Sequence, residues 1–173
     1  MKRKVYSTLG LAAAGAVILL MASPSYRQSE PSMAGKAAPE FDLDLDGKAA
    51  KLADLRGKVV VLNFWATWCP PCVEEMASLN RLHQQIAPEG GLVLGISVDD
   101  DVAVYQKFLR EHQIRFPTYR DPSKKIASQY GTSMYPETYI IGRDGRIVRK
   151  IIGPQNWDSS ELVSYVESLL RSN

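Results

Sequence analysis

The sequence predicts an α/β fold in which a central mixed sheet is flanked by helices. Three observations predict it. Two apolar runs of strand length, Val59–Phe64 and Leu92–Val98, are each followed by a helical pattern. A later pair of runs, Glu137–Ile141 and Ile147–Ile152, flanks a turn and leads into an amphipathic segment. A further strand pair stands in front. The order is thus a strand pair, then βα-βα, then ββα, with no internal repeat.

Each element has a local reason. Phe41 to Leu45 alternates apolar and acidic residues, as a half-buried strand does. Asp46-Gly47 is a hairpin signal, Lys48 to Leu52 the return strand, and Asp54 to Gly57 a tight connection. Val59-Val60-Val61-Leu62 is apolar throughout, which fits a strand covered on both faces. Val73 to Ile86 reads as a helix with Pro70 and Pro71 in its first turn, ended by Pro88-Glu89-Gly90-Gly91. Leu92 to Val98 is a second doubly covered strand. The Asp99-Asp100-Asp101 triplet offers an N-cap to a helix over Val102 to Glu111, with Val104, Phe108 and Leu109 on one face. Phe116 to Tyr119 is a short extended piece. Ser123 to Tyr130 is a short helix closed by Gly131. Arg143-Asp144-Gly145-Arg146 turns the last strand pair. Asp158 is the expected cap of a final helix, Ser159 to Leu170, whose core side carries Leu162, Val163, Val166, Leu169 and Leu170.

The N-terminus has a different character. Lys2-Arg3-Lys4 precedes Val5 to Ala22, which is uncharged and mostly apolar. That pattern is a secretory signal peptide or a signal-anchor over residues 1–22. The run lies at the lower edge of the roughly 20 residues that a spanning helix needs. The cleavage pattern is poor, with Leu20 and Ala22 flanking Met21, and favours retention. Residues 23–37 read as a flexible tether and 38–173 as the globular domain. The net charge of +2 is carried by the leader: without Lys2, Arg3 and Lys4, 18 of the 21 basic residues face 19 acidic ones. No basic stripe offers a nucleic-acid surface.

The chemistry sits in Trp68-Cys69-Pro70-Pro71-Cys72. The chain has 2 cysteines, and both are here. A dithiol at the start of a helix, fed by a buried strand, can cycle between two thiols and one disulfide. Zinc would need two more ligands, and His83 and His112 have no ligand spacing. A structural disulfide would close too short a loop to add much stability. The Asp triplet lacks the Gly and Glu spacing of a calcium loop. Cys69 stands where helix-end N–H groups and the dipole favour a thiolate, so it is the expected attacker and Cys72 the buried resolver. Pro70 and Pro71 start the helix, and each also removes a donor that could stabilise the Cys69 thiolate. That points to a less oxidising couple. Glu75 reads, on the residues alone, as a helix-dipole acid like Glu74. Trp65 reads as core and Trp68 as the rim of the site.

The chain resembles the exported, membrane-tethered thiol-disulfide oxidoreductases of the thioredoxin fold, the TlpA/ResA/DsbE-like group. The matching segments are Ala38-Pro39-Glu40-Phe41, Asp46-Gly47-Lys48, Leu55-Arg56-Gly57-Lys58, Asn63 through Cys72, Tyr135 through Tyr139, and Asp144-Gly145-Arg146-Ile147. The resemblance implies a thioredoxin fold with an N-terminal hairpin and a central αβ insertion, held here by the Leu92 strand and the Val102 helix. It implies a redox-active Cys69–Cys72 disulfide and no other cofactor or metal. It implies a cis Pro136 facing that pair, with the Tyr135 backbone, Trp68, Pro70 and Pro71 lining the substrate groove.

Asn63 stands where thioredoxin itself carries a buried acid, and the resemblance makes Glu75 the substitute proton relay. Glu137 follows Pro136 where relatives usually carry Thr. The implied function is reduction of protein disulfides on the extracytoplasmic side of a bacterial inner membrane. Candidate clients are the haem-site cysteines of apocytochrome c, and the electron donor is a membrane thiol carrier. The protein would act as a monomer. The alternatives are an oxidant, a reductase for another exported client, or a copper or haem chaperone, which in this fold tends to want an extra histidine near the pair. A peroxidase of this fold places Thr three residues before its cysteine, where this chain has Ala66.

Overall fold

A computed structural model describes residues 33–45 and 47–172. The signal or anchor segment and most of the proposed tether lie outside the described residues. Among those described, no helix is long and apolar enough to cross a membrane.

The elements are β1 (Asp42–Leu45), β2 (Lys48–Lys51), β3 (Val59–Trp65), α1 (Pro70–Ile86), β4 (Gly91–Ser97), α2 (Val102–Glu111), β5 (Thr118–Arg120), α3 (Lys125–Gln129), β6 (Glu137–Ile141), β7 (Ile147–Ile152) and α4 (Ser160–Arg171). β1 and β2 form a separate antiparallel hairpin, and the other five strands run β5-β4-β3-β6-β7. β3 is parallel to β4 and antiparallel to β6, so the sheet is mixed, as the sequence predicts.

β3 is buried at every position, which its unbroken apolar run requires. Its two faces do different work. Phe64 packs against Tyr130 and Tyr139. Trp65, on the opposite face, packs against Tyr105 and Phe108 of α2. Gly95 makes that possible: a Cβ there would meet Trp65 Nε1 at 2.9 Å.

Several expectations shift. Residues 35–37, assigned to the tether, lie along the β6–β7 hairpin, where Gly35 N–H donates to Ile147 O (2.8 Å) and Ala37 bridges Arg146. Leu52–Leu55 is a 3₁₀ turn, so the return strand stops at Lys51. In α2 the buried residues are Tyr105 and Phe108, while Val104 is 50% exposed. The core face therefore starts one residue later than the Val104 spacing implied. The short helix contracts to Lys125–Gln129, and Asp121, ahead of its N-cap Lys124, accepts the Ile126 N–H (2.7 Å). Ser159, not Asp158, caps α4 by accepting Leu162 N–H, and Asp158 instead pairs with Arg81 of α1. Asp101 does cap α2, accepting from Ala103 and Val104.

Candidate functional site

The site lies where β3 ends and α1 begins. Cys69 is the N-cap of α1, and Pro70 and Pro71 occupy the turn where a missing N–H costs least. Cys69 and Cys72 form a disulfide with a Cα separation of 5.3 Å. Both are buried, Cys72 completely. The Cys72 N–H donates to Cys69 O (3.0 Å), so the donor left by the two prolines serves the backbone here. The Tyr135-Pro136 bond is cis. Trp68 is 59% exposed and meets the half-buried Tyr135 ring edge-on at 6.0 Å. Pro70 and Met134 are also exposed, so the rim of the disulfide is largely apolar.

The loop before Cys69 is fixed from β4. Asp99 is buried and accepts the Thr67 hydroxyl (2.6 Å), the Thr67 N–H (3.1 Å) and the Ser97 hydroxyl (2.6 Å). Arg120 holds the other side of this turn through the carbonyls of Asp99 and Asp100. Asp99 was legible only as one of three capping acids.

One helical turn past Cys72 lies Glu75, 2% exposed, whereas Glu74 is exposed. One carboxylate oxygen, Oε1, accepts from Asn63 Nδ2 (2.7 Å). The other, Oε2, accepts from Trp157 Nε1 (2.9 Å) and the Gln155 N–H (3.0 Å). Asn63 also donates to Thr138 Oγ1 of β6 (2.9 Å). Burial pushes the Glu75 pKa up from 4.5 to about 7, against the opposing pull of the Trp157, Gln155 and Asn63 donors. Trp157 and Gln155 had no sequence signal, because they lie some eighty positions from Glu75 and reach it only through the fold.

Glu137, immediately after the cis proline, points inward. It is buried, with its carboxylate 3.3 Å from the equally buried Lys150 Nζ of β7. It therefore does not line the groove at Trp68 and Tyr135. His83 accepts the Val93 N–H through Nδ1 (3.3 Å), and burial lowers its pKa. His112 stacks on Phe108. Among the described residues, no group of three or more His, Cys, Asp or Glu side chains is arranged to hold a metal ion.

A model of the AhpC/TSA family matches residues 34–150. The chain belongs to that family. A thiol-disulfide oxidoreductase ResA of Bacillus cereus is 34% identical over 156 residues, covering 90% of this chain and 89% of its own. The ResA of Bacillus anthracis is 35% identical over 148 residues, covering 85% and 86%. A crystal structure from Chlorobium tepidum, assigned as thiol:disulfide interchange protein DsbE, superposes with a TM-score of 0.75 at 28% identity. It covers 80% of this chain and 99% of its own. The fold is thus that of thioredoxin, and this family member is a thiol-disulfide oxidoreductase of the ResA/DsbE type with its two cysteines closely paired.

Proposed function

We propose that the protein is exported and reduces disulfides in other exported proteins. Cys69 is the attacker, Cys72 the resolver, and Glu75 the acceptor of the Cys72 proton. In the reduced state the Cys69 thiolate attacks one sulfur of the client disulfide, and the client's second sulfur leaves as a thiolate. Cys72 then gives its proton to Glu75 and attacks the Cys69 sulfur, which releases the second client thiolate. The client gains two electrons, and the Cys69–Cys72 disulfide forms. A membrane thiol donor would return the electrons.

The observation that carries this reading is that a fully buried Cys72 is followed one helical turn on by a buried carboxyl poised near neutral pH. A resolving thiol without solvent contact needs an internal base, and Glu75 is the acid whose environment suits it. The exposed apolar rim of Trp68 and Met134, beside Tyr135 and the cis Pro136, suits an extended client segment. The two prolines favour a reducing couple. Apocytochrome c with oxidised haem-site cysteines is the client that the likeness to ResA and DsbE favours.

Two measurements test the reading. Cys72→Ser should trap a mixed disulfide with a client and Cys69→Ser should not. The midpoint of the soluble domain against glutathione should fall nearer thioredoxin's value of about −270 mV than a strong oxidant's, about −120 mV. Trapping by Cys69→Ser instead, or a midpoint above roughly −180 mV, would defeat it.

A further inference from the structure

Asn63 is fully buried, yet its side chain is satisfied on one edge only. Nδ2 donates to both Glu75 Oε1 and Thr138 Oγ1, while Oδ1 is buried without a hydrogen-bond partner. A buried amide oxygen left unpaired is costly and asks for a reason. If Asn63 served only to tie β3 to β6 and α1, a fully paired amide would do that better.

The reason lies in what Glu75 must do when it takes a proton. Oε2 already accepts two N–H groups, from Trp157 and Gln155, so its lone pairs are filled. The proton must therefore sit on Oε1. There it would point directly at the Asn63 N–H, donor against donor at 2.7 Å. A half-turn of the amide removes the conflict. With Oδ1 in place of Nδ2, the Glu75 O–H and the Thr138 O–H can both donate into it. The unpaired edge that leaves the amide free to turn is held by Oδ1 in the first position and by the Nδ2 hydrogens in the second.

We propose that the Asn63 amide is a two-position element that turns over as Glu75 gains or loses its proton, keeping that carboxyl hydrogen-bonded in both states. Asn63 is then a positioning residue for proton transfer, and it acts through Glu75. The proposal rests on the reading of Glu75 as the proton acceptor. It also gives a physical reason for an amide at this position. A second carboxylate 2.7 Å from Glu75 could not ionise together with it. The polar groups that meet Glu75 or its amide partner are Asn63 from β3, Thr138 from β6, Gln155 and Trp157 from the segment before α4, and Ser78 from α1, whose hydroxyl donates to Glu75 O. None of these titrates near neutral pH. Cys72, one turn earlier on α1, has no proton to exchange while the disulfide stands.

The test is a pH titration of the oxidised, ¹³C,¹⁵N-labelled protein by NMR from about pH 5 to 9, a window centred on the Glu75 midpoint near 7. The Glu75 carboxyl carbon and the Asn63 side-chain amide are followed together. Both should move with one midpoint. Glu75→Gln carries a permanent N–H where the acid carries its proton, so it should lock the amide. The Asn63 signals should then match those of the wild type at low pH and stay flat with pH. An Asn63 amide that does not move while Glu75 titrates overturns the two-position element and leaves the relay standing. A Glu75 carboxyl that does not titrate in this range overturns both. Asn63→Leu adds a second reading. An amide that serves both forms of Glu75 predicts a rise in the Glu75 midpoint of under about one pH unit, whereas a fixed donor to the carboxylate alone predicts about one to two.

Discussion

Glu75→Gln should make the oxidised protein more stable at neutral pH and leave it nearly unchanged in acid. In the folded protein the Glu75 carboxyl holds its proton up to about pH 7, whereas its ordinary pKa is 4.5. Below pH 4.5 both folded and unfolded states are protonated, and the residue contributes no pH dependence. As the pH rises from 4.5 to 7, the unfolded chain releases its proton and the folded protein keeps its own. The folded state then binds more protons, so the unfolding free energy falls with pH until it levels off above the folded midpoint. The gap between 4.5 and about 7 is worth about 3 kcal/mol at ~1.36 kcal/mol per pH unit. Glutamine is a neutral isostere that keeps an acceptor toward Trp157 and Gln155 and has no proton to lose. The assay is urea unfolding of the oxidised wild type and variant at several pH values from about 4 to 8, with the disulfide intact. The stability difference between them should grow by about 3 kcal/mol toward the variant across that window. His83, whose pKa burial lowers, bends the curve the other way but is present in both proteins and cancels. A difference that stays flat across that whole range would refute the claim that Glu75 is a neutral-pH acid.

Two other outcomes follow from the same physics. Lys150→Met should cost about 3–5 kcal/mol because it leaves Glu137 a buried carboxylate without its cation, while Glu137→Gln combined with Lys150→Met should recover most of the loss; urea midpoints of the two variants decide it, and a neutral single variant would count against the buried pair. The anchor reading of Val5–Ala22 expects the protein to fractionate with membranes and keep its first residues. A mature N-terminus near Ser23 by mass spectrometry would rule out the anchor while leaving export intact.

The parts of this fold that were legible in the sequence are those set by local rules. β3 and β4 announce themselves because a strand covered on both faces must be apolar at every position. The hairpin turns carry their own Asp-Gly signals, and the cysteine pair comes with its helix start. Boundaries failed where two local signals competed. Asp158 and Ser159 are both good caps, and the choice fell to Ser159 because Asp158 has a partner in Arg81, far away in the chain. Val104 failed because the face of α2 that packs is set by Trp65, which reaches Tyr105 and Phe108 instead. At the site, Cys69, Cys72 and Pro136 could be named from motif and resemblance. The groups that tune Glu75 could not, since Trp157 and Gln155 come from the segment between β7 and α4 and carry no motif.

Three of the buried acids, Asp99, Glu137 and Glu75, are compensated in different ways. Asp99 is met by the hydroxyls of Thr67 and Ser97 and by the Thr67 N–H, so it fastens the chain two residues before Cys69. Glu137 is met by a full positive charge on Lys150, which fastens the residue after the cis proline to β7. Glu75 alone of the three is met entirely by neutral N–H donors, those of Asn63, Trp157 and Gln155, in a pocket that reaches it from β3 and from the segment before α4. A cation beside it would stabilise the carboxylate and take its proton affinity out of the neutral range. Neutral dipoles offset the cost of burial only in part, and its pKa stands near 7 as a result. Asp99 and Glu137 hold the segments before Cys69 and after the cis proline, and Glu75, held by N–H donors alone, stands one turn past Cys72 on the same helix.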